Sequence, residues 1–193
     1  MKENKYDDNI FFQKYSQMSR SQQGLAGAGE WETLRKLLPD FKDKHVLDLG
    51  CGYGWHCIYA MEHGASSVVG VDISHKMLEV AKEKTHFPQI EYKCCAIEDV
   101  EFPEESFDVI LSSLAFHYVA DYEILVKKIY RILKSGGKLI FTVEHPVFTA
   151  YGTQDWYYNE KGEILHFPVD NYYYEGKRTA VFLGEKVTKF ILH

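Results

Sequence analysis

The feature that most constrains this chain is an alternation sustained from residue 46 to residue 144, in which short apolar runs take turns with amphipathic helical segments. Val46-Leu47-Asp48-Leu49 is the first run and Ser67-Val68-Val69-Gly70-Val71-Asp72 the second, followed by residues 90–94, 107–113 and 138–144. Their shortness and their Val, Ile and Leu content read as strands. Between them the periodicity changes to that of a helix. One helix over residues 54–63 is closed by Gly64, and Ser74 N-caps a second that carries Met77, Leu78 and Ala81 inward. Asp121 caps a third, with Leu125, Ile129, Ile132 and Leu133 in one stripe before Ser135-Gly136-Gly137. Strands joined by crossover helices build an α/β fold, an open and mostly parallel sheet with helices on both faces. Upstream, residues 10–38 read as helical, with Trp31, Leu34, Leu37 and Leu38 on one face and Pro39 as the stop.

Composition removes several classes of function. The chain has 193 residues, is 46% hydrophobic and carries a formal charge of −6. That balance counts against nucleic acid or an anionic membrane as partner. Lys127, Lys128, Arg131 and Lys134 read as the solvated face and last turn of the third helix. No apolar stretch is long enough to span a bilayer, and the first eight residues are polar, so a cytoplasmic protein is expected. Cys51, Cys57, Cys94 and Cys95 are too few for a disulfide framework. Cys51 and Cys57 with His56 and His63 match no closed zinc spacing, so no metal is expected.

The chemistry sits in Asp48-Leu49-Gly50-Cys51-Gly52-Tyr53-Gly54, after the first strand and opening the first helix. Ligands of such sheets bind beyond the carboxyl ends of the strands, where glycines let the backbone turn sharply and come close. Asp72 lies 22 residues beyond Gly50, at the end of the second strand, where a carboxylate can accept from both ribose hydroxyls of an adenosine compound. Gly50, Gly52 and Gly54 are spaced G-x-G-x-G, and a pyrophosphate binder wants the third glycine one place later. Asp48 is awkward beside a pyrophosphate and useful beside a cationic or amino-bearing ligand. The combination favours an aminoacyl sulfonium such as S-adenosylmethionine over a dinucleotide.

Four ordered motifs, VLDLGCGYGW, GVDIS, SFDVILSSLAFHYV and ILKSGGKLIF, resemble the class I S-adenosylmethionine-dependent methyltransferases, above all the small-molecule type of bacterial enzyme. FFQKYSQMSRSQQGLAGAGEW and EHPVF are similar to one subgroup of that family. The resemblance implies a Rossmann-like sheet, S-adenosyl-L-methionine as cofactor, S-adenosyl-L-homocysteine as product and a small-molecule methyl acceptor. It places Asp48 and Gly50 toward the methionine part of the cofactor, with Cys51, Gly52 and Gly54 in the close-approach loop. Asp72 would hold the ribose, Ile73 and Met77 would flank the adenine, and Ile97 and Glu98 would meet its edge. Ser113, with Ser112 and Leu114, would lie beneath the sulfur. Tyr15 and Arg20 would close over the site, Arg20 toward the cofactor's carboxylate.

Methyl transfer is an in-line displacement that depends on alignment, worth ~7–11 kcal/mol, and an oxygen or protonated amine nucleophile also needs a base. His117 and His145, just past the fourth and fifth strands, are the candidates, set against a reading in which each orients a loop. Glu144 or Pro146 would fix the orientation of His145. His45, His56, His63, His75 and His86 are expected to face solvent.

After residue 146 the chain turns aromatic, with Tyr151, Trp156, Tyr157, Tyr158, Phe167, Tyr172, Tyr173 and Tyr174. Residues 156–158 and 164–167 read as a hairpin, and residues 179–183 and 187–192, split by Gly184-Glu185-Lys186, as another. Together they are expected to form a cap whose aromatic walls bind a flat or cationic substrate, or else fill a small core of their own or an oligomer contact. Members of the family usually continue with a helix and an antiparallel strand pair. Here these are expected to be missing, leaving the fifth strand an open edge and favouring a homodimer. The resulting division is an N-terminal helical lid over 1–40, the S-adenosylmethionine-binding core over 41–145 and the aromatic cap over 146–193. A cofactor-binding but inactive subunit, and methylation of a macromolecule, remain as alternatives.

Overall fold

In the computed structural model, which describes residues 3–150 and 155–191, the five apolar runs form one sheet. Tyr151 and Leu192 lie outside the described residues. Three short helices lead in, α1 (Asn9–Ser16), α2 (Ser19–Gln23) and α3 (Trp31–Leu34). The alternating region follows as β1 (His45–Leu49), α4 (Trp55–Glu62), β2 (Ser67–Asp72), α5 (His75–Lys84), β3 (Ile90–Cys94), β4 (Phe107–Ser113), α6 (Tyr122–Ile132) and β5 (Leu133–Thr142). A turn of helix, α7 (Val147–Ala150), precedes two hairpins, β6 (Tyr157–Tyr158) with β7 (Ile164–His166) and β8 (Gly176–Phe182) with β9 (Glu185–Ile191).

The sheet order is β3-β2-β1-β4-β5 and every pairing is parallel. The chain winds outward from β1 in one direction and returns at β4 to wind in the other, which puts the switch point between β1 and β4. Both faces are buried, as strand alternation requires. Leu47, Leu49 and Ile110 pack with Leu125, Ile129 and Ile132 of α6, while Val46, Val68, Val109 and Leu111 pack with Cys57 and Ala60 of α4. Each fully buried Leu or Ile of the α6 stripe contributes about 1.5–3 kcal/mol.

Three boundaries differ from the sequence reading. Residues 10–38 break into short helices, because Gly24 turns at φ +64° and a Cβ at Gly27 would meet the Ser19 carbonyl oxygen at 2.3 Å. Helix α3 ends at Leu34, and Leu37 is consequently 63% exposed. Strand β5 begins at Leu133, ahead of the expected 138. The Ser106 N–H bonds the Ile132 carbonyl and draws the chain straight into the ladder, leaving an irregularity opposite the step from Phe107 to Val109. In β8–β9 the turn is Leu183-Gly184, with φ of +54° and +81°, the two-residue form that matches strand twist.

Neither hairpin joins the central sheet, and β5 has β4 on one side and no strand on the other among the described residues. Hairpin β8–β9 instead packs on the N-terminal segment. Phe11, Ala180 and Val187 are buried together, with Tyr6, Phe182 and Leu183 against them. This third core lies over the carboxyl ends of the strands. No helix among the described residues is long and apolar enough to cross a membrane. The four cations of α6 and its end are all paired, Lys127 to Glu123, Lys128 and Arg131 to Glu101, and Lys134 to Asp108.

Candidate active site

A cavity of about 900 Å³ opens at the carboxyl ends of the strands. Its base is the loop after β1. Gly50 and Cys51 donate their N–H groups to the Val71 carbonyl, and the Gly52 N–H donates to the Asp72 carboxylate at 2.9 Å. The other Asp72 oxygen accepts from the Ser74 N–H at 2.9 Å. Burial pushes Asp72 up to about 6 against these two N–H bonds. Each carboxylate oxygen keeps a lone pair for a further donor. At Gly52, with φ +52°, an added Cβ would meet nothing within 4 Å, so the loop presents bare backbone to the space in front of it.

Of the residues expected at the ligand, Tyr15, Arg20, Gly50, Gly52, Asp72, Ile73, Met77, Ile97, Glu98, Ser113, His117 and His145 all line this cavity. Asp48, Cys51 and Gly54 do not. Asp48 is in phase with Val46, so alternation turns it toward α4, where it is 1% exposed and accepts from the Cys57 thiol at 3.5 Å. Burial lifts it to about 7, and its Oδ1 has no partner. Gly54 serves packing, since a Cβ there would sit 2.2 Å from the Tyr92 hydroxyl. Cys51 lines a recess of about 60 Å³ that shares Tyr15, Arg20, Gly50, Gly52 and Ser113 with the main cavity.

Arg20 reaches the cavity already in an ion pair with Glu30, whose carboxylate also accepts from the Ser113 hydroxyl at 2.9 Å. Burial works against ionisation of Glu30, yet a backbone hydrogen bond, the Arg20 guanidinium and the Ser113 hydroxyl hold it below the ordinary value. His56 was expected in solvent. It packs against Trp31 at 5.8 Å, and burial pushes it down to about 4.

At the far end, His117 accepts from the Glu144 N–H at Nδ1 over 3.4 Å. Burial and then the nearby Lys189 ammonium push it down to about 3, so its ring is neutral. His145 accepts from the Val147 N–H at Nδ1 over 3.3 Å and stacks on Tyr172 at 6.2 Å. Its orientation thus comes from Val147, not from Glu144 or Pro146. The Glu144 carboxylate pairs with Lys189 of β9.

The cavity's cover comes from both ends of the chain. The Tyr6 and Tyr118 hydroxyls are 3.2 Å apart, Asp7 accepts from the Ser74 hydroxyl at 2.6 Å, and Lys14 donates to the Leu183 carbonyl at 2.9 Å. Phe148, Phe182 and Phe190 supply the aromatic wall expected from the tail. Trp156, Tyr157, Tyr158, Phe167, Tyr172, Tyr173 and Tyr174 do not line it. Trp156 instead packs on Phe167 at 5.2 Å, and the cavity-lining Phe148 meets that same ring at 5.5 Å. Tyr6, Tyr118 and Lys189 went unnoticed in the sequence. For Lys189 a signal existed, since it alternates in phase with Val187 and Ile191 on β9 and all three are buried.

The residues present fit S-adenosylmethionine. The open cradle at Gly52 admits close approach, and the Asp72 carboxylate at the cavity edge matches a ribose. A family model for a methyltransferase domain matches residues 47–141. A protein of Listeria monocytogenes assigned as an S-adenosylmethionine-dependent methyltransferase is 57% identical. Its structure superposes with a TM-score of 0.80 over 86% of this chain and 75% of that one. An S-adenosylmethionine-dependent methyltransferase of Mesorhizobium loti is 39% identical, with a TM-score of 0.78 over 86% of this chain and 76% of that one. The ubiquinone biosynthesis O-methyltransferase of Coxiella burnetii is 38% identical over 112 residues, which are 57% of this chain and 47% of that relative.

Proposed function

The chain belongs to the S-adenosylmethionine-dependent methyltransferase family, and from that premise we propose that it transfers a methyl group to a nucleophile on a small molecule. The observation that carries the reading is the single cavity that runs from Gly52 and Asp72 to His117, His145 and Lys189 beneath a cover made by the N-terminal segment and β8–β9. A chamber of this size suits a cofactor with a small acceptor beside it. The Coxiella burnetii relative, named for O-methylation in ubiquinone biosynthesis, points the same way.

When bound, the cofactor supplies an electrophilic methyl group on a sulfonium. The protein binds, aligns and excludes water. Asp72 accepts from vicinal ribose hydroxyls, Ile73, Met77 and Ile97 provide apolar surface for the adenine, and Glu98 offers a polar edge. Ser113 and Leu114 end β4 beside the Gly52 loop and shape the space between the two ligands. Arg20 retains donors for a carboxylate while paired with Glu30. Tyr15 and the segment around it act as the lid.

His117 and His145 face the acceptor. Because each Nδ1 accepts a backbone N–H, the proton donor each ring presents is Nε2–H. Both histidines therefore position the acceptor through Nε2–H. Either can take a proton at Nδ1 only by giving up its backbone contact.

The test is a labelling experiment. The protein is incubated with methyl-labelled S-adenosylmethionine and a cell extract, which is then split by ultrafiltration into small-molecule and macromolecular fractions. Label is expected in the small-molecule fraction. Label confined to protein or RNA overturns the small-molecule assignment.

A further inference from the structure

Lys189 is a cation in the cavity wall for which methyl transfer as described has no use. Its side chain is only 5% exposed although it lines the cavity. Alternation along β9 puts it there, between Val187 and Ile191 on the buried face. Glu144 is its ion-pair partner, and the Phe182 ring centroid lies 5.9 Å away. An ammonium has three N–H donors, and among the described residues Glu144 is the one acceptor of Lys189. A buried charge is costly while its donors go unfilled. The cavity is where the remaining acceptor can enter.

Of the other cations in the cavity wall, Arg20 is paired with Glu30 and Lys5 with Glu185. Arg178, opposite Lys189 in the hairpin register, spends its guanidinium on the carbonyls of Thr149, Asn171, Tyr172 and Tyr174. Lys177 lines the cavity on the same hairpin and has no carboxylate within ion-pair distance among the described residues. The Phe182 ring lies against Lys189, and Phe190, Phe148 and Tyr118 add aromatic surface elsewhere in the same cavity. One buried ammonium without an arginine fork suits a singly charged carboxylate better than a phosphate, which calls for more donors.

We propose that the methyl acceptor is an aromatic carboxylic acid, its carboxylate held by Lys189 and its ring laid against Phe182 and Tyr118. The nucleophilic group then points toward Gly52 and Ser113. The proposal rests on the methyltransferase reading and names the acceptor class for that same cavity.

Calorimetry on protein saturated with S-adenosylhomocysteine tests it, using matched probes: 3,4-dihydroxybenzoate against catechol, 4-hydroxybenzoate against phenol, and phenyl phosphate. Each acid is expected to bind about tenfold or more tightly than its neutral partner, and more tightly than phenyl phosphate. Lys189→Met should bring the acid-to-neutral ratio close to one with homocysteine-compound affinity unchanged, and Lys189→Arg should keep most of it. Wild-type protein that shows no preference for the acids, or that prefers phenyl phosphate, overturns the proposal. So does a preference that survives in Lys189→Met. The wild-type comparison decides even if Lys189→Met fails to fold. Failure to bind S-adenosylhomocysteine at all would instead remove the underlying functional reading.

Discussion

The Gly52 N–H donates to the Asp72 carboxylate at 2.9 Å, so the loop after β1 and the end of β2 form one edge of the cavity. In the proposed function, the residue that would offer lone pairs to a ribose also holds the glycine that leaves room for it. On that reading, loop position and ligand affinity are coupled through a single carboxylate.

Replacing that carboxylate should cost binding. Asp72→Ala is expected to weaken S-adenosylhomocysteine binding by about 1–3 kcal/mol, from the lost ribose bonds and the orphaned Gly52 N–H. Titration calorimetry measures this, with a thermal melt to confirm the fold. Unchanged affinity would remove Asp72 from the site.

Two glycines of the same loop should separate binding from folding. Gly52→Ala places a methyl group in open space in front of the loop, with a left-handed backbone cost of about 1–2 kcal/mol, and its larger effect should be on cofactor affinity. Gly54→Ala drives a methyl group into the Tyr92 hydroxyl, and its larger effect should be on melting temperature. Equal effects of the two substitutions on both readouts would contradict this division.

Stability of the ligand-free protein should fall as pH rises through the acidic range. Burial raises Asp48 to about 7 and Asp72 to about 6. Both exceed the unfolded value of ~3.9, so the fold holds protons that the unfolded chain has released. Their contribution is fully present below about pH 4 and is lost as pH climbs through the folded values, at up to roughly 1.4 kcal/mol per unit for each group. Carboxyls held low, such as Asp7 and Asp108, act in the opposite sense at the acid end of the range. Asp48→Asn stays neutral, so its gain over wild type in a melt should be larger at about pH 8 than at about pH 5. A gain of the same size at both would contradict the burial argument.

Arg178 should hold the chain that borders the cap. It donates to the carbonyls of Thr149 at 3.2 Å and Tyr174 at 2.6 Å, among others. Arg178→Met should speed chymotrypsin cleavage between Asn171 and Glu175 severalfold while S-adenosylhomocysteine affinity changes little, because β1 and β2 are untouched. An unaltered cleavage rate would show that these bonds do not restrain the segment.

Strands β1, β2 and β4 were legible in the sequence because a parallel sheet covered on both faces writes itself as continuous apolar runs, whereas β3, at the sheet edge, reads as an alternation of Ile90, Tyr92 and Cys94 with Glu91 and Lys93. The meeting of the glycine loop with Asp72 at the cavity edge was legible because it depends on two local signals, the glycines after β1 and Asp72 at the end of β2. The place of Asp48 was missed, although its phase with Val46 was visible. Lys189 was missed because a lysine reads as surface unless its strand phase is followed. The wall of the acceptor end was beyond local reading. Its placement depends on Phe11 meeting Ala180 and Val187, a contact across most of the chain. Aromatic content alone pointed to Trp156 and Tyr173, which are 44% and 87% exposed.

The most direct test of the account is a calorimetric titration of the purified protein with S-adenosylhomocysteine, repeated with NAD. One-to-one binding of S-adenosylhomocysteine, displaced by S-adenosylmethionine and unaffected by NAD, is the predicted result. Absence of binding to either sulfur compound, or displacement of S-adenosylhomocysteine by NAD, would contradict the assignment of the Gly52 and Asp72 edge as a methyl-donor site.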